Sequence, residues 1–192
     1  MTVLVVATGN PGKLKEMQSY LEGTPWQLQL KPPELDVEET GATFLENACL
    51  KASEIAKVTG EWAIADDSGL SVDALDGAPG IFSARYAEDD GARIDRLLME
   101  LGDRSDRGAQ FVCAIAVANP QGEIVIQEEG IARGEILRDR QGSGGFGYDP
   151  IFYVPKVEKS YAEMTPEMKH QFSHRGLAFE LVLPKLKLLE GD

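Results

Sequence analysis

The pattern of apolar and polar positions predicts alternating strands and helices in the first third of the chain. An apolar run within residues 2–7 predicts a buried strand, and apolar side chains spaced by three and four positions predict a helix over about 12–22. Residues 26–30 alternate between apolar and polar side chains and predict a second strand. The order strand, helix, strand is typical of α/β proteins.

Local signals bound a second helix at both ends. Thr43 stands three positions before Glu46, which is the spacing of a capping box, and Gly60 is of the type that commonly ends helices. We expect this helix over about 44–58. Residues 62–67 then predict a short buried strand that ends at two aspartates.

The rest of the chain predicts one more helix, several strands and a helical C-terminal third. Residues 91–102 have helical spacing, and the apolar run 110–120 predicts a long central strand. Residues 122–130 and 131–137 predict two strands joined by a turn, and 151–154 a further short strand. Strand pairs after an alternating start predict an α/β fold with a mixed sheet.

Composition and charge narrow the classes of function. The chain is 43% apolar, as in ordinary globular domains, and we expect one domain of two lobes over residues 1–192. A net charge of −13 repels a long phosphate backbone, so we expect no nucleic-acid partner. No membrane span or signal-peptide pattern stands out, so we expect no membrane partner and a cytoplasmic location, with Cys49 and Cys113 as buried thiols.

The segment TGNPGK, residues 8–13, joins the first strand to the first helix. Backbone N–H groups and the helix dipole both favour an anion at such a position, although an ordinary strand–helix turn has the same composition. The segment is not a Walker A loop, because Ala7 and Leu14 stand where that motif needs glycine and Ser or Thr.

Two acidic pairs are candidate metal ligands. Asp66 and Asp67 follow a predicted strand, and adjacent strand residues point to opposite faces, so we expect the two to do different jobs. Glu38 and Glu39 lie in the loop before the second helix. Mg²⁺ takes one or two carboxylates together with water and substrate phosphates. The alternatives are an Asx-turn for the aspartates and solvated loop acids for the glutamates.

The glycine-rich segment 142–150 contains a formal G-x-G-x-x-G, but a dinucleotide fingerprint must open a helix, and a β-prone run follows here. Phe146 and Tyr148 could stack on a purine, or they could be core aromatics beside a flexible loop.

A cluster of cationic side chains lies near the start of the last predicted helix, with Ser173 as its candidate N-cap. His174 and Arg175 in the first turn oppose the helix dipole, a misfit that is typical of functional sites, and Lys169 lies about one turn upstream. His170 and His174 have zinc spacing, but no third ligand is evident, so we expect no zinc.

Six segments in order, TGNPGK, EETGATFLENACLKA, ADDSGLSVDALDGAPGIFSARY, GGFGYDPIF, SYAEM and SHRGLA, resemble the inosine/xanthosine triphosphate pyrophosphatases from residue 3 to about 180. The resemblance implies an elongated mixed sheet flanked by helices, two lobes with an active-site cleft between them, and a homodimer. It also implies Mg²⁺-dependent hydrolysis of ITP, dITP and XTP to the monophosphate and pyrophosphate.

The resemblance further implies roles for residues at motif positions. Asp67 resembles the proton acceptor and, with Glu39, a metal ligand. Lys169, His174 and Arg175 resemble residues that grip the base. The complete set that resembles substrate-binding residues is Thr8, Gly9, Asn10, Pro11, Gly12, Lys13, Lys51, Ser68, Phe146, Gly147, Tyr148, Asp149, Lys169, His174 and Arg175.

Two alternative functions stay open. A nucleotide sensor without turnover would not need water activation, so the presence of both Glu39 and Asp67 argues against it. A related pyrophosphatase for modified pyrimidine nucleotides is the other, and the SHRG and GGFGYD segments favour a purine instead.

Overall fold

The structure of the protein, a computed structural model, describes residues 2–189. Its helices are α1 (Pro11–Leu21), α2 (Phe44–Thr59), α3 (Asp90–Leu101), α4 (Pro166–Phe172) and α5 (His174–Leu188). Its strands are β1 (Val3–Val6), β2 (Gln27–Leu30), β3 (Trp62–Val72), β4 (Gly108–Ala118), β5 (Ile124–Ile136), β6 (Phe152–Val154) and β7 (Lys159–Ser160). Among the described helices, none has the length and apolar character that crossing a lipid bilayer requires.

The strands form one mixed sheet in the order β2-β1-β3-β4-β5-β6-β7. Strand β1 pairs in parallel with β2 and with β3, whereas β6 pairs antiparallel with β5 and β7. The α/β class with a mixed sheet is therefore confirmed, and so is the central position of the strand predicted at 110–120.

The chain forms two compact units. Among the described residues, the first unit comprises 2–67, 113–130 and 175–189, and the second comprises 68–112 and 131–174. The chain passes from one unit to the other within three strands and at the start of α5. The prediction of a single catalytic domain of two lobes over residues 1–192 stays a prediction.

In the first unit the sheet is buried on both faces. Leu4 and Val6 of β1 lie in a cluster with side chains of α1 and α5, while Val5 lies in a second cluster with α2. Helix α2 contributes Ala48, Ala52 and Ala56, small side chains that bring its backbone close to the strands. Burial on both faces explains why β1 is apolar without alternation.

In the second unit the core contains a stack of rings. The Phe111 ring is stacked on His174, with centroids 4.5 Å apart, and on Tyr161 at 5.6 Å. Phe152 meets Phe111 edge-on at 4.8 Å. Offset and edge-on contacts of this kind stabilise by about 0.5–1.5 kcal/mol beyond the area that they bury.

Two predicted strand boundaries were wrong. Strand β3 does not end at the aspartates but continues to Val72, so Asp66 and Asp67 lie inside a strand and not in an Asx-turn. Residues 124–136 form one continuous strand, where a turn was expected at Gly130.

The predicted start and end of α2 are confirmed, with one difference in the cap. The Thr43 hydroxyl accepts from Glu46 N at 3.1 Å, and Gly60 ends the helix with a left-handed φ of 70°. The Glu46 carboxylate reaches Ala42 N, at 2.6 Å, and not the Thr43 N–H that a capping box would use.

Candidate active site

The loop of residues 8–13 is organised by its own side chains. Asn10 caps α1, and its Oδ1 accepts from Gly12 N at 2.9 Å and from Lys13 N at 3.2 Å. Thr8 Oγ1 accepts from Asn10 N at 3.1 Å. Two of the N–H donors expected to meet an anion are thus already bonded to Asn10. An anion would meet the helix dipole, the remaining donors and the Lys13 ammonium.

Asp66 is the centre of a buried ionic network in the first unit. Its Oδ1 lies 3.2 Å from Lys13 Nζ, and its Oδ2 accepts from Arg175 Nε at 3.1 Å and Nη2 at 2.8 Å. Burial opposes ionisation, but Lys13 and Arg175 outweigh it and hold the pKa of Asp66 well below its usual range. Asp66 is therefore a permanent anion that holds two cations.

Arg175 is buried as deeply as Asp66, with only 1% of its surface exposed. Its Nη1 donates to Glu16 Oε2 at 2.5 Å, in addition to the two bonds to Asp66. Burial disfavours the charged guanidinium, but Asp66 and Glu16 raise the pKa of Arg175 well above its ordinary value. The sequence analysis missed Glu16, because nothing in its local pattern marks a partner 159 positions away.

Asp67 has different partners from Asp66, as the opposite directions of adjacent strand residues predict. Its Oδ1 lies 3.2 Å from Lys51 Nζ, and the same ammonium lies 2.8 Å from Glu39 Oε1. Asp67 Oδ2 is buried and has no hydrogen-bond partner among residues 2–189. Burial raises the pKa of Asp67, although Lys51 opposes the shift.

Glu39 and Asp67 could hold a divalent cation. Their carboxylates share one ammonium, and Asp67 presents a buried oxygen that no described group satisfies. The described residues contain no cluster of three or more His, Cys, Asp or Glu side chains suited to a metal. A two-carboxylate site fits Mg²⁺, which fills its remaining positions with water and substrate oxygens.

The second unit carries the predicted base-binding segment. Asp149 Oδ2 accepts from Phe146 N at 2.9 Å and pairs with Lys169 Nζ at 2.6 Å. The Lys169 ammonium also lies 4.8 Å from the Phe146 ring centroid. A Cβ on Gly145 would lie 1.9 Å from Asp149 Oδ2, and its φ is 72°, so only glycine allows this close loop.

Tyr148 and His174 are built into the second unit's interior. The Tyr148 hydroxyl donates to Ser83 O at 2.9 Å, and burial raises the pKa of this tyrosine above its ordinary value. His174 is stacked on Phe111, and its backbone N–H donates to Tyr161 Oη at 3.3 Å. Of the two aromatic candidates for stacking on a base, Phe146 is the more exposed.

The charged and aromatic side chains described above fall into two groups, each of which combines predicted site residues with residues that the sequence did not single out. We call the first the charge cluster; it consists of Lys13, Glu16, Glu39, Lys51, Asp66, Asp67 and Arg175, all in the first unit. We call the second the ring cluster; it consists of Phe111, Phe146, Tyr148, Asp149, Tyr161, Lys169 and His174, all in the second unit. Arg175, predicted to grip the base, is bound by Asp66 and Glu16 of the charge cluster, and its contact with a base stays a prediction.

Comparisons with known proteins address the family of the whole chain. The model of the Ham1 family matches residues 4–185. A dITP/XTP pyrophosphatase of Nostoc sp. is 65% identical over 96% of this chain and 94% of its own, and one of Synechocystis sp. is 57% identical over 100% and 99%.

Solved structures give the same result. A HAM1 protein from Coxiella burnetii, 43% identical, superposes with a TM-score of 0.89 over 97% of this chain and 99% of its own. The Staphylococcus aureus Ham1 protein, 44% identical, gives a TM-score of 0.87 over 97% and 98%. A family model that spans nearly the whole chain, with relatives this similar, leads to one conclusion: this chain belongs to the Ham1 family.

Proposed function

We propose that this protein is a house-cleaning hydrolase that converts non-standard purine nucleoside triphosphates, dITP, ITP and XTP, to the monophosphate and pyrophosphate. The observation that carries the proposal is the pair Glu39 and Asp67, bridged by Lys51, with one buried Asp67 oxygen left unbonded by the described residues. The names of the relatives from Nostoc and Synechocystis, both dITP/XTP pyrophosphatases, support dITP and XTP as substrates.

The proposed reaction is attack of water on the α-phosphorus. The Asp67 carboxylate takes a proton from the water, the new P–O bond forms, and the bond from the α-phosphorus to the bridging oxygen breaks. Pyrophosphate leaves with the bonding electrons. Burial raises the pKa of Asp67, which makes it a stronger base than an exposed aspartate, and the Lys51 ammonium opposes this shift.

The lysines of the charge cluster oppose the negative charge of the triphosphate. Lys13 ends the 8–13 segment in the first turn of α1, and Lys51 lies between two carboxylates. We propose that Glu39 and Asp67 hold Mg²⁺, which would neutralise charge on the phosphate oxygens. Thr8, Asn10 and the 8–13 backbone then orient the phosphates.

We propose that the ring cluster selects the base. Phe146 offers a ring for stacking, and Lys169, held by Asp149, offers donors. Hypoxanthine and xanthine present a carbonyl oxygen at position 6, whereas adenine presents an amino group, which cannot accept from an ammonium. If Arg175 also contacts the group at position 6 of the base, Arg175→Ala will lower the ratio of kcat/KM for ITP to kcat/KM for ATP.

The experiment that tests the proposed function is pyrophosphate release from a panel of nucleoside triphosphates. We expect turnover of ITP, dITP and XTP with Mg²⁺, and kcat/KM at least about 100-fold lower for ATP. Tight binding of ITP without any release of product would instead assign the protein as a sensor. Preference for a modified pyrimidine triphosphate would instead assign the protein as a pyrophosphatase for modified pyrimidine nucleotides.

Three further features belong to this proposal. The free thiols of Cys49 and Cys113 support a reducing compartment, the cytoplasm. We expect a homodimer in solution, on the resemblance, and light scattering tests it. The net charge of −13 supports a small-molecule substrate and not a nucleic acid.

A further inference from the structure

The loop that carries Glu39 is attached to α2 by several side chains of the helix. Asn47 is fully buried, and its Oδ1 accepts from Gly41 N at 2.8 Å. One helical turn later, Lys51 Nζ lies 2.8 Å from Glu39 Oε1. Residues four apart lie on the same face of a helix, so one face of α2 holds residues 39–41 by a backbone contact and a side-chain contact.

The backbone contact is as close as the chain permits. A Cβ on Gly41 would lie 2.7 Å from Asn47 Oδ1 and 2.7 Å from Glu46 Cβ. The next residue, Ala42, donates its N–H to Glu46 Oε2 at 2.6 Å. Any larger residue at position 41 would push this part of the loop away from α2, and Glu39 lies only two residues earlier.

The amide side chain of Asn47 is suited to holding the loop that carries Glu39. Its Oδ1 is the group in use, since Nδ2 is buried without a hydrogen-bond partner among the described residues. An aspartate would supply the same acceptor but would add a negative charge to the helix face where Lys51 already serves Glu39 and Asp67. Asparagine is therefore an acceptor that leaves the charge of the carboxylate pair unchanged.

We propose that Asn47 is a positioning residue: it fixes the Glu39 loop on α2 so that the Glu39 carboxylate stays beside Lys51 and Asp67. Asn47 touches neither substrate nor metal in this role. The part of the proposal that concerns metal affinity rests on the proposed function of Glu39 as a Mg²⁺ ligand. Residues behind metal ligands commonly change metal affinity by about 10–100-fold when replaced.

The experiment compares two variants that break the same contact from opposite sides, Asn47→Ala and Gly41→Ala. Ser53→Ala is the matched control, because Ser53 is also on α2 and loses one hydrogen bond, to Gly122 O at 2.7 Å. Amide hydrogen exchange measures the protection of the backbone N–H of residue 41. Electron paramagnetic resonance of Mn²⁺, recorded without nucleotide, measures the affinity of the protein for the metal. Asn47→Asp, which keeps the acceptor, is the rescue variant.

We expect residue 41 to exchange about tenfold faster in Asn47→Ala, as for the loss of one hydrogen bond, and to regain protection in Asn47→Asp. We expect Mn²⁺ affinity to be about tenfold weaker in Asn47→Ala and in Gly41→Ala, and unchanged in Ser53→Ala. Because both substitutions break one contact, the double variant Asn47→Ala/Gly41→Ala should bind Mn²⁺ no more weakly than the weaker of the two single variants. Unchanged exchange at Gly41 in Asn47→Ala would overturn the proposal. Unchanged Mn²⁺ affinity in Asn47→Ala would also overturn it, provided that Mn²⁺ binding depends on Glu39.

Glu39→Gln separates failure of this inference from failure of the proposed function. If Glu39→Gln weakens Mn²⁺ binding and Asn47→Ala does not, the metal site stands and the positioning role is wrong. If Glu39→Gln leaves Mn²⁺ affinity unchanged, the metal assignment is wrong, and exchange at Gly41 alone decides whether Asn47 holds the loop.

Discussion

The charge cluster of the first unit and the ring cluster of the second unit both contain buried and half-buried side chains, yet they differ in chemistry. In the charge cluster, cations and carboxylates share partners, so that Asp66 serves two cations and Lys51 serves two carboxylates. In the ring cluster, Asp149 and Lys169 form an ion pair beside aromatic rings. The first arrangement suits a polyanion and proton transfer, and the second suits a flat heterocycle.

Adjacent residues of this chain lie in clusters of different chemistry. His174 is stacked in the ring cluster, while the next residue, Arg175, is bound by two carboxylates of the charge cluster. Asp66 and Asp67 divide in a similar way inside one cluster, one as a holder of cations and the other as the proposed base. Variants at these positions therefore break one function at a time.

The largest effect is expected for Asp67→Asn. The amide has nearly the same shape but neither takes a proton nor binds Mg²⁺ well, so kcat for ITP should fall by about 10³-fold or more while the melting temperature changes little. Asp103→Asn, a change at an exposed aspartate, is the control. Turnover of Asp67→Asn near the wild-type rate would remove Asp67 from its role.

Asp66→Asn, in contrast to Asp67→Asn, should lower the free energy of unfolding. It removes the partner of two buried cations, a change that costs about 3–5 kcal/mol at buried ion pairs. The pKa of Asp66 is lowered in the folded state, so its contribution is present above the unfolded pKa of about 3.9 and is lost as the pH falls further. Urea unfolding should show a constant gap between the two proteins from pH 7 to about 5, and a closing gap below about pH 4.

Replacing one lysine in each cluster should separate phosphate binding from base selection. Lys51→Met should lower kcat/KM by about 10²-fold for ITP and ATP alike, because both carry the same triphosphate. Lys169→Met should lower kcat/KM for ITP by about 10–100-fold and change ATP much less, because only the carbonyl at position 6 accepts from an ammonium. Equal losses on both substrates in Lys169→Met would refute the division of labour.

The smallest effect is expected for Phe146→Ala. Loss of a stacking ring costs about 1–3 kcal/mol per base, so KM for ITP should rise by about tenfold or somewhat more with kcat unchanged. Phe82→Ala is the matched control, since that ring belongs to the same unit and is 58% exposed. Steady-state kinetics of Phe146→Ala and Phe82→Ala measure KM for ITP in both variants. An unchanged KM in Phe146→Ala would show that the base does not stack on this ring.

Local features of this fold could be predicted from the sequence. The first turn of α1 at Asn10 and both ends of α2, at Thr43 and Gly60, are fixed by contacts within a few residues. The alternation of Asp66 and Asp67 follows from strand geometry alone, which is why their separate partners were predicted even though the end of the strand was not.

Features set by distant packing could not be predicted in this way. Residues 66–69, with two aspartates, a serine and a glycine, are typical of a turn, but sheet pairing overrides that preference in β3. Gly134 in β5 is needed because a Cβ there would lie 2.4 Å from Tyr153 O, so this glycine marks a close approach and not a turn. Glu16 and Asn47 were missed because their partners are known only from the folded chain.

The measurement that tests the central claim most directly is hydrolysis of ITP in ¹⁸O-labelled water, with the products resolved by ³¹P NMR and mass spectrometry. The account predicts IMP and pyrophosphate in equal amounts, with the label in IMP, because water attacks the α-phosphorus. Label in the pyrophosphate, or release of IDP and free phosphate, would contradict it.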